Sequence, residues 1–456
     1  MSILLCLISL FIIQGCAHYK PMPLSKSAIN KALMPLNEKE IKLKLSSIVH
    51  PILKPIPFDL KDGLSPDEAA ILAVIQNPRL KAERDNKFIA SAQILQADII
   101  PNPEISYSFE APVGGNTSDK VNAYGINLDW NISYFVTRHT NILSARLKKD
   151  SIALSIAWKE WQVAEAAKLN VYHLFILYKE LSLMKNIFCL YEQLFIKTRK
   201  ALKLGLIKKT TFISIENKLK TTKENLISIR SDLNGSWYRL KKILGVPPDM
   251  DIKLQNSITL PSIRNIPSLK NIMNGLEERR LDLVALKYGY KSQDKRLRAA
   301  ILNQFPRINI GFINGRDTDG VKTIGFDIGI SLPIFNRNQG KIAIEMATRK
   351  KLFDEYVARL FEARSNIASI REHLYLDIQE LNLINNSIYK LAKICKICNF
   401  AFKKGRIDLF TYYNSMIRLY TQKLEKLHLE NKICSLAIAL EIASGEYLFV
   451  GEKNVK

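Results

Sequence analysis

No apolar run in the 456-residue sequence is long enough to cross a bilayer as a helix. The longest, Ile3 to Ile13, has eleven residues where about 20 are needed, so it reads as the hydrophobic region of a signal peptide spanning residues 1–15. Cysteine is scarce. Cys6 and Cys16 fall in the leader region, and Cys189, Cys395, Cys398 and Cys434 are too few for a disulfide scaffold. Acids are outnumbered, 43 against 67 Lys and Arg, giving a formal charge of +24. Those basic residues are scattered over polar helix faces and form no block of five or more, which speaks against a nucleic-acid partner. Catalytic signatures are missing too: no nucleophile elbow, phosphate-binding loop or dinucleotide fingerprint occurs. His18, His50, His139, His173, His373 and His428 show no ligand spacing, and the adjacent Glu277 and Glu278 do not share a helix face. An enzyme has no support in these residues, and neither a cofactor nor a metal site is expected.

What is present begins with Ile13-Gln14-Gly15-Cys16, a small residue then cysteine, directly after the apolar run. It resembles the lipobox at which bacterial lipoproteins are cleaved, which would make Cys16 an acylated membrane anchor, although Met1-Ser2 supplies none of the usual leading positive charge. A proline-rich linker follows.

The remainder is written twice, with an offset of about 200 residues. Val121, Gly125, Phe135 and Ile142 fall on Val321, Gly325, Phe335 and Ile342, and Gly205, Ile207, Leu219 and Gly245 fall on Gly405, Ile407, Leu419 and Gly445. Upstream the offset is 203, matching Leu80, Ala82, Ala97 and Pro103 to Leu283, Ala285, Ala300 and Pro306. Such a period is a duplicated domain-sized unit and not a solenoid. Each copy reads as a helix, a strand pair and a very long helical hairpin. The expected organisation is a signal peptide at 1–15, a lipidated Pro-rich linker at 16–61, a first repeat at 62–250 with strands at about 104–110 and 121–131, an inter-repeat linker at 251–270, a second repeat at 271–445 with strands at about 307–313 and 322–332, and a tail at 446–456.

The strands carry a period of two. Ile105, Tyr107 and Phe109 alternate with Ser106, Ser108 and Glu110, and Ile324, Phe326, Ile328 and Ile330 alternate with Gly325, Asp327, Gly329 and Ser331. Either a half-buried soluble sheet or the wall of a transmembrane β-barrel gives this alternation. The leader and the lack of any amphipathic partner other than very long helices favour the barrel. Four strands cannot close one, and open edges in lipid leave backbone groups unsatisfied at several kcal/mol each, so the chain must oligomerise; three copies would supply twelve strands. On that reading Asn127, Asp129 and Asp327 face a water-filled lumen. The helices step by three and four residues, as in Leu174, Leu177, Leu181, Met184 and Phe188, which marks coiled-coil seams. Cys395 and Cys398 form a CxxC, but the offset places them at the seam positions of Phe195 and Thr198, so packing outweighs metal or redox chemistry.

Together with the leader and the double repeat, two segments carry a family resemblance. NPRLKAERDNKFIASAQILQADIIPNPEISY, Asn77 to Tyr107, and ISLPIFNRNQGKI, Ile330 to Ile342, resemble the TolC-like outer-membrane efflux family, the second being similar to the strand-to-helix junction of its cobalt-zinc-cadmium resistance branch. At that junction Pro333 ends the strand, Asn336 or Asn338 caps the helix, and Gly340 permits close packing. The resemblance covers about residues 62 to 445. It implies a mainly α fold with a small membrane β portion: a homotrimer whose 12-stranded barrel in outer-membrane lipid continues as a helical coiled-coil barrel through the periplasm of a Gram-negative bacterium. It also implies a periplasmic adaptor protein and an inner-membrane proton-driven pump as partners. The turns LGLIKKTTF and KGRIDLFTY would form the periplasmic tip, with Gly205, Lys208, Lys209, Gly405, Arg406 and Asp408 expected at the adaptor contact. The expected function is a passive export duct for small solutes, with heavy-metal cations as first cargo and multidrug or other small-molecule export as the alternative. Lys203, Lys208, Lys209, Lys403, Lys404 and Arg406 against Asp408 alone fit a cation path poorly, since a basic mouth repels cations. The alternative of another class is a lipid-anchored periplasmic coiled-coil scaffold with a small soluble sheet.

Overall fold

Both copies run through the same long elements in the computed structural model, which describes residues 19–46, 50–53, 58–59, 61–261, 263 and 265–449. The expected signal peptide, Cys16 and the last residues of the tail lie outside the described residues. Two short helices, α1 (Lys26–Leu33) and α2 (Glu38–Ser46), precede α3 (Pro66–Gln76) and α4 (Pro78–Asp98). Then come β1 (Glu104–Glu110), β2 (Ala123–Asn131) and the hairpin of α5 (Tyr134–Lys203) with α6 (Lys209–Leu244). The second copy has α7 (Leu269–Met273), α8 (Leu276–Arg279), α9 (Leu281–Leu302), β3 (Arg307–Arg316), β4 (Lys322–Ser331), α10 (Gln339–Lys403) and α11 (Leu409–Ser444).

Local chemistry sets the ends of these helices. Ser65 and Glu68 form a capping box before α3, with Pro66 at the first helical position where no N–H is needed. Asn77 caps α4 through Arg79 and Leu80 N–H, and its Nδ2 donates to Ile243 O at 2.9 Å, tying the start of α4 to the end of α6. Gly245 (φ 71°) and Gly445 (φ 74°) end α6 and α11 in the left-handed region; a Cβ on Gly245 would lie 2.7 Å from Gln76 O. At 1.5 Å per residue the 70 residues of α5 make a rod of about 105 Å.

The four strands form one antiparallel sheet in the order β1-β2-β3-β4, because β2 of the first copy pairs with β3 of the second. β2 starts two residues later than expected, since Val121 N–H donates to Thr318 O in the facing loop. β3 runs on to Arg316, past the expected 313, because Asn314, Gly315 and Arg316 have partners on both β2 and β4.

The helices stand in a single layer. Its order is α4, α5, α9, α10 in the half next to the sheet and α6, α5, α11, α10 in the far half. α5 and α10 run the full length. α5 is interior throughout, whereas α10 is an edge in both halves, packed at mid-height by α7 and α8. Mid-way along, each copy has its own apolar core: Ala73, Val171, Leu174, Leu240 and Leu244 in the first, Ile367, Leu374, Ile433 and Leu440 in the second. Burying each large aliphatic side chain contributes about 1.5–3 kcal/mol. Part of the expected linker joins the first core, for Ile41 and Leu45 lie one turn apart on α2 and bury there with Phe58. No described helix is long and apolar enough to cross a membrane.

Candidate functional site

The sheet separates its side chains by chemistry. Register places Ile105, Leu128, Phe312 and Phe326 in one transverse row, and Tyr107 and Ile126 in the next, all on one face. That face is bare: Ile324 is 75% exposed and Phe326 68%, and the substantial contacts of each strand are with other strands. A half-buried soluble sheet would have a helix lying over these residues. On the opposite face, Glu104, Asp129, Gly311 and Asp327 form one row, with Asn127 in the next row beside Ile313. Gly311 leaves room for the flanking acids, since a Cβ there would lie 3.2 Å from that of Asp327. The outer edges of β1 and β4 are unpaired.

Aromatic residues gather where sheet becomes helix. Trp130 Nε1 donates to Pro101 O at 2.8 Å and its ring meets Phe135 edge-on at 5.7 Å, while Tyr134 OH donates to Ala97 O. Ring systems with one polar end suit a membrane–water boundary. In the second copy Pro333 follows β4 and Asn336 Oδ1 accepts from Asn338 N–H at 2.9 Å. Asn338 holds the cap position of α10 at φ 60°, but its Nδ2 donates to Ala300 O at 2.7 Å and its side chain caps nothing. The packing expected of Gly340 is not seen within the subunit: a Cβ there would meet no atom within 4 Å.

Both hairpin turns lie at the far end of the layer. Gly205 (φ 70°) and Gly405 (φ 66°) make equivalent turns, in which Leu206 N–H donates to Ala201 O and Arg406 N–H to Ala401 O, each at 2.9 Å. Around them Lys208, Lys209 and Arg406 are exposed. Asp408, expected among the contact residues, is the N-cap of α11: it accepts from Thr411 N–H at 2.9 Å, and the Thr411 hydroxyl and N–H hold its carboxyl below the usual range. Lys208 occupies the matching position of α6 and offers no side-chain cap. The hairpins are locked together just above the turns, where Leu194, Ile215, Tyr413 and Ile417 bury and Tyr413 OH donates to Gln193 Oε1 at 3.0 Å.

Cys395 packs with Leu391 and Leu419 and donates to Ser415 O at 3.1 Å, and burial raises its thiol pKa, as suits a packing residue. His173 lies beside Asn431, 3.2 Å from Nδ1 to Oδ1. Among the described residues no group of three or more His, Cys, Asp or Glu could hold a metal ion.

One polar cluster went unread in the sequence. Glu165 is fully buried, with Lys168 Nζ at 3.4 Å; the same Nζ lies 3.1 Å from Asp67 and 4.5 Å from the ring centre of Tyr447. Glu441 accepts from Leu448 and Phe449 N–H, each at 2.9 Å, and burial together with the nearby Glu165 raises its pKa to about 7. Its members come from three distant stretches of chain, and buried acids at seam positions were the only available signal.

No protein-family model matches the chain, and no curated protein matches it by sequence. Solved structures do match its shape. The Campylobacter jejuni CmeC outer membrane channel is 12% identical with a TM-score of 0.69, over 96% of this chain and 96% of that one. The Neisseria gonorrhoeae MtrE outer membrane channel in its open state is 13% identical with a TM-score of 0.68, over 88% of this chain and 97% of that one. CusC, known from structures tied to folding and transmembrane channel formation, is 15% identical with a TM-score of 0.67, over 88% and 98%. The chain thus has the fold of the TolC-like outer-membrane channels, a mostly helical subunit with a small antiparallel sheet.

Proposed function

We propose that this chain is the outer-membrane channel subunit of a tripartite efflux system, a passive export duct with no catalytic site of its own. The observation that carries the reading is the bare apolar face of the sheet with its two free edges. In water that face and those edges are an aggregation hazard; in lipid, with β1 of one copy paired to β4 of the next, every backbone group is satisfied and the apolar face is solvated by acyl chains. Three copies close twelve strands. The helical layer carries the same logic, for its edges are α10 on one side and α4 with α6 on the other, so the contact is head-to-tail and closes into a ring. Both sides expose apolar side chains: Phe353, Phe361 and Leu383 on α10, Phe88, Ile89 and Leu95 on α4.

In the closed trimer the row of Glu104, Asp129 and Asp327, with Asn127 beside it, lines the lumen, and the aromatic junction sits at the periplasmic boundary of the membrane. Lys208, Lys209 and Arg406 meet the carboxylates of a periplasmic adaptor coupled to an inner-membrane proton-driven pump. Cys16 is the lipid anchor of a mature chain that starts there. Heavy-metal cations are the first cargo, supported by the likeness to the cobalt-zinc-cadmium branch at Ile330 to Ile342 and by the acidic row; export of drugs or other small molecules is the second reading, favoured by the basic tip. A lipid-anchored coiled-coil scaffold is disfavoured by the bare sheet.

Single-channel recording of the detergent-extracted protein in a planar bilayer tests the duct. Discrete pores from a trimer, with selectivity moved toward cations when Lys208, Lys209, Lys403 and Lys404 are reversed in charge, are expected; a protein that stays soluble without detergent and never conducts would leave the scaffold.

A further inference from the structure

A groove of about 630 Å3 opens half-way down the helical layer, between α5, α6 and the segment 251–256 that leaves α6. Its size falls within the roughly 300–1,000 Å3 of small-ligand sites. Two features set it apart from the aliphatic seams around it. Its walls are aromatic and partly open: Tyr238 is 61% exposed and Tyr178 45%, and Trp237 Nε1 donates to Tyr178 OH at 3.0 Å, which fixes both rings. Its rim is polar and unspent: among the described residues, Asn234, Asp251 and Asn256 line it and none has a hydrogen-bonding or ionic partner.

Fixed ring faces beside free amides and a free carboxylate suit a ligand with apolar C–H faces and outward hydroxyl or amide groups. A lipid chain would make no use of the three polar groups, and a phosphate, although Lys241 and Lys253 also line the groove, would meet Asp251 and have no use for the rings. A pyranose satisfies both features, and an acetamido substituent would add a donor and an acceptor that Asn234 and Asn256 can answer. The groove lies on α5 at Phe175 to Tyr178, some 41 residues below the sheet junction at Tyr134, or about 60 Å along the rod. From these observations we propose that the groove binds an N-acetylated amino-sugar glycan. Its source is the polysaccharide wall that a rod crossing the periplasm must pierce, so that the duct is held to the wall at this depth. The choice of source rests on the duct reading; the sugar-binding chemistry does not.

Fluorescence anisotropy of a labelled β-1,4-linked N-acetylglucosamine tetramer, titrated with the full chain in detergent, tests the site. Saturable binding is expected, weakened about ten-fold or more by Tyr238→Ala and separately by Asn256→Ala, two surface changes whose folding is checked by unchanged helicity. An α-linked glucose tetramer should not bind. No saturable binding, equal binding of the glucose tetramer, or full affinity in both variants would each overturn the assignment. The same preparation is tested for conductance: pores without glycan binding would overturn only the groove, and glycan binding without pores only the duct.

Discussion

The two longest helices, α5 and α10, are equivalent by the repeat, yet they live in different surroundings. The 200-residue offset lays Trp161 of α5 on Phe361 of α10. Trp161 is wholly buried, and Phe361 is 74% exposed. Leu174 and Leu374, also paired by the offset, are both fully buried at the mid-height cores. Duplication therefore kept the inner seam and changed the outer one. α5 finds neighbours on both sides within its own chain, whereas α10 has one side open and presents large apolar residues to a partner the subunit does not supply. A sharp way to break the comparison is to insert a charge at each position. Trp161→Asp should abolish folding, since even truncation to Ala would cost about 3–5 kcal/mol. Phe361→Asp should leave the subunit's helicity and melting within about 0.5 kcal/mol of the parent, because the side chain is already in water, while eliminating trimers and conductance together. Trimers that survive Phe361→Asp and Leu383→Asp combined would remove α10 from the subunit contact.

Mid-height packing separates the copies again, this time by pH. In the first copy His50 ties the N-terminal segment to α5: its Nε2 lies 3.0 Å from Ala157 O, and Nδ1 accepts from Ile52 and Leu53 N–H at 3.1 and 2.9 Å. In the second copy Glu441 holds Leu448 and Phe449. The Glu441 carboxyl is raised from 4.5 to about 7, so between those values the folded state binds the extra proton and stability falls as pH rises. Glu441→Gln keeps an acceptor for the two N–H groups and should add on the order of 3 kcal/mol at pH 8 relative to pH 4, seen as a rise in melting temperature at the alkaline end only. The sign reverses at His50. Burial lowers its pKa below 6.5, against the pull of Ala157 O and Glu160 and with the help of Lys87 and Arg84. The unfolded state then binds more protons, so stability declines as pH falls below about 6.5, and protonated Nδ1 can no longer accept from Ile52 and Leu53. Protection of those two amides from hydrogen exchange, taken against the intrinsic rate at each pH, should fall with acid in the parent and lose its pH dependence in His50→Gln, with an effect of about 1 kcal/mol per lost bond. Protection that is flat with pH in the parent would rule His50 out as the clip.

Period-two alternation at Ile105, Tyr107 and Phe109 made the two faces of the sheet legible, because a strand offers a side chain only two directions. The pairing of β2 with β3 was not legible, since nothing in either hairpin names its outer neighbour. The seams of α5 and α10 were equally readable, but which helix lies inside the layer depends on contacts between the copies, and the same three-four spacing suits both places. Asp408 was expected at the tip contact through the family resemblance; its local bond to Thr411 N–H, three residues on, is a capping pattern that the sequence already contained. Gly340 was assigned crowding that the subunit does not have.

That cap is the smallest difference between the copies and the easiest to exchange. Asp408 and Lys208 occupy equivalent positions at the foot of α11 and α6, and only the aspartate satisfies an orphan N–H and places negative charge at a helix N-terminus. Asp408→Ala should cost about 1 kcal/mol and fray the first turn of α11, read as faster exchange at Thr411. Lys208→Asp should do the reverse for α6, because Thr211 stands three residues on as Thr411 does in the second copy. If both changes act on exchange at the tip but leave conductance alone, the tip charges are scaffold and adaptor chemistry. If Lys208→Asp also shifts ion selectivity, the lysine faces the pore.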